Sequence, residues 1–290
     1  MAASLQPLFS AITFLLLIAS LIGSSEAAGI VQYWGRGHSE PSSLAEFCRR
    51  QFATDVNIAF LKDFGSGHMP ELNVIHPWPS AADIESCQNN QTKVFISLAG
   101  PSNLSSVEDA QEVAAYVWNT YLGGESSDRP FGTAVLDGVE LHIHSGNPNY
   151  LDVLALALKG YPNVTLAVAG ECPIPNLFLD PTIRTGVVDQ VRVEFFDNPS
   201  CEFLPPNDTS LLFRSWDSWS DYPGVHKLYL GIPISSSIAS EGGYIPPNEL
   251  VYDVLPYLQN SPVYGGITVY PYFGHGVTFK SLLRSYARAV

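Results

Sequence analysis

The densest chemistry in this chain lies in Leu136-Asp137-Gly138-Val139-Glu140-Leu141-His142-Ile143-His144. Carboxylates and imidazoles alternate with apolar residues, as in a strand, where residues two apart share a face. Glu140, His142 and His144 should therefore line one side, with Asp137 just before them. A His-x-His step is metal-ligand spacing, and imidazole with carboxylate suits zinc. Such a site needs a further ligand, for which Glu171, Glu194 and Asp197 are the candidates. No complete metal motif is present, so neither a metal nor another cofactor is expected. The favoured reading is a hydrogen-bonded polar cluster in which Asp137 and Glu140 accept from the imidazoles. Other enzyme classes lack their signatures: there is no G-x-S-x-G elbow, no H-E-x-x-H and no P-loop, and Gly65-Ser66-Gly67 reads as a turn.

Something must position that strand. Apolar, β-branched runs recur at 30–34, 56–61, 94–98, 134–143, 165–169, 190–195, 228–232 and 266–271. Helical patterns fill the intervals at 42–52, 81–89, 107–122, 150–159, 176–185, 210–222, 248–259 and 278–289. Strand alternating with helix eight times predicts an α/β chain folded as a single (β/α)8 TIM barrel over 28–290, with function at the carboxyl ends of the strands. The 290 residues, 46% hydrophobic and 12% aromatic, suffice for a large core.

Residues 7–23 form an apolar block ahead of Ser25-Glu26-Ala27, which predicts a signal peptide over 1–27 and secretion. The formal charge is −14, and losing Glu26 alone leaves −13. So acidic a surface argues against nucleic acid or an anionic membrane as partner; a monomer is expected. Four cysteines in a secreted chain predict two disulfides, with three pairings open. Asn90, Asn103, Asn163 and Asn207 open glycosylation sequons at predicted loops or element ends.

Longer phrases point to one family. Ile30-Val31-Gln32-Tyr33-Trp34-Gly35-Arg36 begins the first strand, and Val56-Asn57-Ile58-Ala59-Phe60-Leu61 the second. Trp118-Asn119-Thr120-Tyr121-Leu122-Gly123-Gly124 and Arg129-Pro130-Phe131-Gly132 lead into the strand at 137–144. Glu194-Phe195-Phe196-Asp197-Asn198-Pro199-Ser200-Cys201 and Tyr264-Gly265-Gly266-Ile267-Thr268-Val269-Tyr270 follow. Over residues 29–290 the chain resembles the plant class III chitinases of glycoside hydrolase family 18, whose fourth strand carries D-x-x-D-x-D-x-E. The first Asp is kept as Asp137; the second is Glu140, the third His142, and the final Glu is His144. In that family the final Glu protonates the glycosidic oxygen, and the preceding Asp orients the substrate's N-acetyl group, which is the nucleophile. A proton donor for that step is a carboxyl of raised pKa, whereas an unperturbed imidazole titrates near about 6.5. The resemblance thus implies an inherited fold with hydrolysis lost and no catalytic residue retained.

It implies more about the surroundings. Phe196 stands for a Tyr that contacts the N-acetyl group, and Tyr270 for the Trp that floors the cleavage subsite. Ser97-Leu98-Ala99-Gly100 has lost one Gly of S-x-G-G. Tyr33 and Phe60 are retained. Tyr33, Phe60, Phe196 and Tyr270 are therefore the candidate ligand-binding residues, since aromatic faces stack on sugars; the competing role, strongest for Phe60, is barrel packing. Asp137 is expected to organise the cluster. The resemblance selects Cys48–Cys87 and Cys172–Cys201. A third bridge of those enzymes has no counterpart, so the loop at 68–78 should be looser or held by other contacts.

Tyr33-Trp34-Gly35-Arg36, Asp152-Val153-Leu154-Ala155-Leu156 and Ser215-Trp216-Asp217-Ser218-Trp219 look closer still to the cereal xylanase-inhibitor proteins. This implies a plant defence protein that inhibits fungal xylanases. Its partner is then a microbial xylanase or a chitin-type oligosaccharide, the alternatives being a chito-oligosaccharide-binding lectin and a residual chitinase. Those inhibitors insert basic side chains from the loop between fourth helix and fifth strand and from the seventh-helix region. Here 159–165 holds one Lys and no Arg, and 235–244 no basic residue.

Overall fold

The computed structural model describes residues 28–38, 40–50 and 52–270. The expected signal peptide, the last residue of the strand expected at 266–271 and the helix expected at 278–289 lie outside them. Eight parallel strands form the barrel: β1 (Gly29–Trp34), β2 (Asp55–Lys62), β3 (Lys93–Ser102), β4 (Gly138–Gly146), β5 (Thr165–Glu171), β6 (Gln190–Glu194), β7 (Leu228–Pro233) and β8 (Tyr264–Tyr270). Each pairs with the next in sequence, and β1 pairs with both β2 and β8, which closes the cylinder. The helices are α1 (Leu44–Arg50), α2 (Ala81–Asn89), α3 (Val107–Tyr121), α4 (Leu151–Lys159), α5 (Asp180–Ile183), α6 (Ser210–Ser220) and a composite α7 running from Pro247–Glu249 through a π turn, Leu250–Val254, to Leu255–Leu258.

Alternation sorts the strands into two layers. Leu141, Ile143, Leu166, Val168, Val191 and Val193 point outward and join Val113, Val117, Leu154 and Leu158 of the helices in one apolar core. The inward positions are different: Asn57, Ser97, Glu140, His142, Arg192 and Thr268 are all buried. Such barrels usually fill this space with bulky branched residues. This one fills much of it with polar groups that must satisfy one another.

Local chemistry sets the departures from sequence expectation. The strand expected from 134 starts at Gly138, where a Cβ would meet the Thr165 carbonyl oxygen at 2.3 Å and the Phe95 ring at 2.5 Å. The helix expected over 176–185 shrinks to Asp180–Ile183, because Pro181 is tolerated only in a first turn. In α7 the π turn ends two positions before Pro256, whose ring would crowd the carbonyl four residues back in a regular helix. α2 begins with a capping box, Ser80 and Asp83 each binding the other's backbone amide.

Cys48 of α1 is bonded to Cys87 of α2, and Cys172, just after β5, to Cys201. The loop at 68–78 is held without a bridge. Glu71–Leu72 pairs antiparallel with Lys62 and Leu61, the Ile75 amide donates to the Gly35 carbonyl (2.8 Å), and Nε2 of His76 lies 3.0 Å from the Gly37 carbonyl oxygen. Asn90, Asn103, Asn163 and Asn207 are all exposed. No helix among the described residues is long and apolar enough to cross a membrane.

Candidate functional site at the barrel mouth

Glu140 lies deepest of the β4 trio, fully buried beneath the mouth. One carboxylate oxygen accepts from Ser97 Oγ (2.7 Å); the other accepts from the Arg192 guanidinium (2.6 Å), the Tyr33 hydroxyl (3.1 Å) and Asn57 Nδ2 (3.3 Å). Arg192, also fully buried, donates onward to Asn57 Oδ1 (3.1 Å), Gln190 Oε1 (2.5 Å) and Asp55 Oδ2 (3.3 Å). Its guanidinium carbon stands 4.9 Å from the Phe95 ring centroid. Burial alone would discharge Arg192, but Glu140 and then Asp55 more than reverse this and raise its pKa. Burial, then the neighbouring Glu140 carboxylate, also drives the Tyr33 hydroxyl well above its usual pKa.

One step up, Nε2 of His142 is 2.8 Å from Glu194 Oε1. The bond passes over β5, whose outward Leu166 and Val168 leave the small Ala167 and Ala169 facing in. Burial disfavours an imidazolium at His142; the bonded Glu194 carboxylate, with Glu140 beneath, outweighs it and raises the pKa above 6.5. Burial likewise works against Glu194 as an anion, but His142, then His144 and the Tyr270 hydroxyl, hold its pKa below the usual value. His144, next along β4, has a one-third-exposed side chain whose Nε2 lies 3.8 Å from the same Glu194 oxygen. Its ring meets that of His142 edge-on at 4.5 Å. Burial and then the charge on His142 push its pKa down to about 4. The mouth therefore favours the imidazolium form of His142 against Glu194 and the neutral form of His144 beside it.

The expected arrangement of acceptors needs correcting. Neither Asp137 nor Glu140 bonds an imidazole; Glu194 does. Asp137 stands before β4, at the opposite end of the barrel, where it accepts from the Val94 amide (2.8 Å) and Gln88 Nε2 (3.0 Å). It lies three positions before Glu140, an odd step that takes it off the inward face. Of the three candidate third ligands, Glu194 joins the histidines, Asp197 accepts from the Glu241 amide (2.7 Å), and Glu171 lines a cleft of about 180 Å³ beside His144 with Asn176, Leu177 and Phe178.

Tyr33, Phe60 and Tyr270 gather around His142, their ring centroids 5.8–5.9 Å from its own, and Phe196 packs on Tyr270 at 5.5 Å. Tyr33, Phe60 and Tyr270 are 6%, 5% and 1% exposed, Phe196 is partly buried, and Ala99 joins their cluster. The rings meet one another at tilted or edge-on angles.

Sequence reading missed the counter-charge network of Arg192, Gln190, Asp55 and Asn57. The signal was available: Gln190-Val191-Arg192-Val193-Glu194 alternates strictly, so one face of β6 carries all three polar groups. The lone cation of the fourth-helix loop is also accounted for, since Lys159 Nζ donates to the Val164 carbonyl (2.9 Å) and to Asp189 (2.7 Å).

No family model matches the chain. It is 43% identical over 265 residues to an acidic endochitinase of Cucumis sativus, covering 88% of this chain and 89% of the relative. Among solved structures it is similar to a chitinase of Ipomoea carnea, at 34% identity and TM-score 0.79 over 90% of this chain and 97% of that one. A xylanase and α-amylase inhibitor protein of Scadoxus multiflorus matches at 31% identity and TM-score 0.80 over 90% and 98%. With the closed eight-stranded barrel and the identities to these relatives, the chain belongs to the plant class III chitinase-like proteins of glycoside hydrolase family 18.

Proposed function

We propose that this chain is a secreted, catalytically inactive member of its family that acts by binding, with a fungal xylanase as its first target. The observation that carries the reading is His144, an imidazole of depressed pKa where chitinases of this family hold their proton donor. Glu194 cannot replace that donor, because its pKa is lowered and its proton is therefore lost at working pH. Protein binding is favoured over sugar stacking by the burial of Tyr33, Phe60 and Tyr270. A relative titled as a xylanase and α-amylase inhibitor shares the fold over nearly its whole length. With Lys159 tied down, docking through an inserted cation of that loop is disfavoured, so another face of the barrel carries the contact.

The test mixes purified protein with fungal xylanases and, separately, with a chitin substrate. Stoichiometric loss of xylanase activity with no chitin turnover is expected. Chitin hydrolysis that disappears in His144→Ala would overturn the reading. The cleft beside His144 favours one second reading, a chito-oligosaccharide lectin. Calorimetric binding of chito-oligomers that is lost in Phe178→Ala, without xylanase inhibition, selects it.

A further inference from the structure

Two imidazoles meet edge-on at the barrel mouth, and among the described residues one hydrogen bond serves them. His142 Nε2 is bonded to Glu194, whereas His142 Nδ1 is buried with no partner. His144 makes no hydrogen bond among the described residues; its nearest oxygen is the Glu194 carboxylate at 3.8 Å. One ligand atom from each of His142, His144 and Glu194 lies within 4.8 Å of the other two. Ligands about 2.0–2.2 Å from a tetrahedral zinc stand about 3.3–3.5 Å from one another. The 2.8 Å and 3.8 Å separations of the two Nε2 atoms from the Glu194 oxygen bracket that spacing, and no two of the three ligand atoms are further apart than 4.8 Å, so ring rotations that draw the imidazoles together complete it.

The positions are also fixed by the fold. β4 presents His142 and His144 two residues apart on its inward face, and β6 brings Glu194 across the gap left by Ala169. Beneath them, Glu140 is already paired with Arg192, so it adds no competing ligand. Above them, His144 is one-third exposed and borders the cleft lined by Glu171, which opens an entry path. Two imidazoles with one carboxylate and an open position is the donor set of zinc and its borderline neighbours.

We propose that His142, His144 and Glu194 form a binding site for one divalent transition metal ion, zinc foremost, with the remaining coordination position open to water or an incoming carboxylate. This goes beyond the binding role argued above and does not depend on it.

The experiment uses tag-free full protein stripped with chelator and titrated calorimetrically with zinc chloride. Cobalt(II) serves in parallel as a visible-absorption probe of tetrahedral coordination. One saturable equivalent is expected, with a tetrahedral cobalt spectrum, and at least a tenfold loss of affinity in both His144→Ala and Glu194→Gln. Both variants should keep the parent circular dichroism spectrum, since neither residue belongs to the apolar core. Absence of saturable binding up to millimolar zinc, or unchanged binding in His144→Ala, overturns the proposal. The second result assigns any bound zinc to surface histidines.

Discussion

His142 and His144 are two positions apart, yet the barrel drives their proton affinities in opposite directions. Nuclear magnetic resonance titration of the metal-free protein should show His144 ring shifts moving only near pH 4, and those of His142 above the ordinary histidine range. A single transition near about 6.5 for both would contradict the ion pair. The stability consequences have opposite signs. His142, with its raised pKa, contributes stability that is fully present below the unfolded value and lost as pH rises through the folded one. His144, with its pKa lowered, leaves the unfolded chain binding the extra proton, so stability falls as pH drops from about 6.5 toward 4. Glu194, also depressed, contributes stability that is present above the unfolded carboxylate value and lost as pH falls through the folded one. His144→Gln should therefore shift the melting temperature upward relative to the parent at pH 4.5 more than at pH 7. Deeper in the barrel, Arg192→Met leaves Glu140 with an unpaired buried charge. It should lower stability by about 3–5 kcal/mol in denaturant unfolding. The double variant with Glu140→Gln should recover a large part, and strictly additive losses would show that the two charges are not coupled.

At the scale of elements, the loops over the mouth are anchored by carboxylates placed at helix starts. Asp109, in the first turn of α3, accepts from the Ser66 amide (2.7 Å), the Gly67 amide (3.2 Å) and the Ser105 amide (2.8 Å). Burial works to raise its pKa, but the amides of Ser105, Ser66 and Gly67 outweigh it and hold the carboxyl below its usual value. Asp109→Ala should cost about 1.5–3 kcal/mol through the loss of hydrogen bonds to a charged group. It should also flatten the acid limb of the stability curve below about pH 4, where the parent loses this contribution. An unchanged acid limb would place the pH dependence elsewhere. The loop at 68–78 follows similar logic: backbone pairing to β2 and to Gly35 replaces a covalent tie.

For the whole molecule, the question is whether restoring the motif restores the enzyme. His144→Glu together with His142→Asp should give no chitin turnover above background. The new carboxylates would face Glu194 without the imidazolium that now compensates it. Tyr270, Phe196 and Ala99 would still pack in one cluster with Tyr33 and Phe60. Ready recovery of activity would show that the two histidines alone had silenced the site.

Periodicity and a few phrases were enough to read the barrel, because strand and helix alternate eight times and each period is local. The positions of Glu140, His142 and His144 on one inward face followed from the same two-residue repeat. So did their departure from the chitinase motif. What the sequence could not decide was which groups partner across the barrel: Glu194 was one of three candidates beside the histidines, and Arg192 was not among them. Glu140 meets Arg192 from 52 positions away, and His142 meets Glu194 at the same separation. Only closure of the cylinder, with alanines on the strand between, brings those groups within hydrogen-bond reach. That closure also decides the charge states. Desolvation and one shared carboxylate drive the pKa of His142 up and that of His144 down, a distinction invisible in two identical residue names.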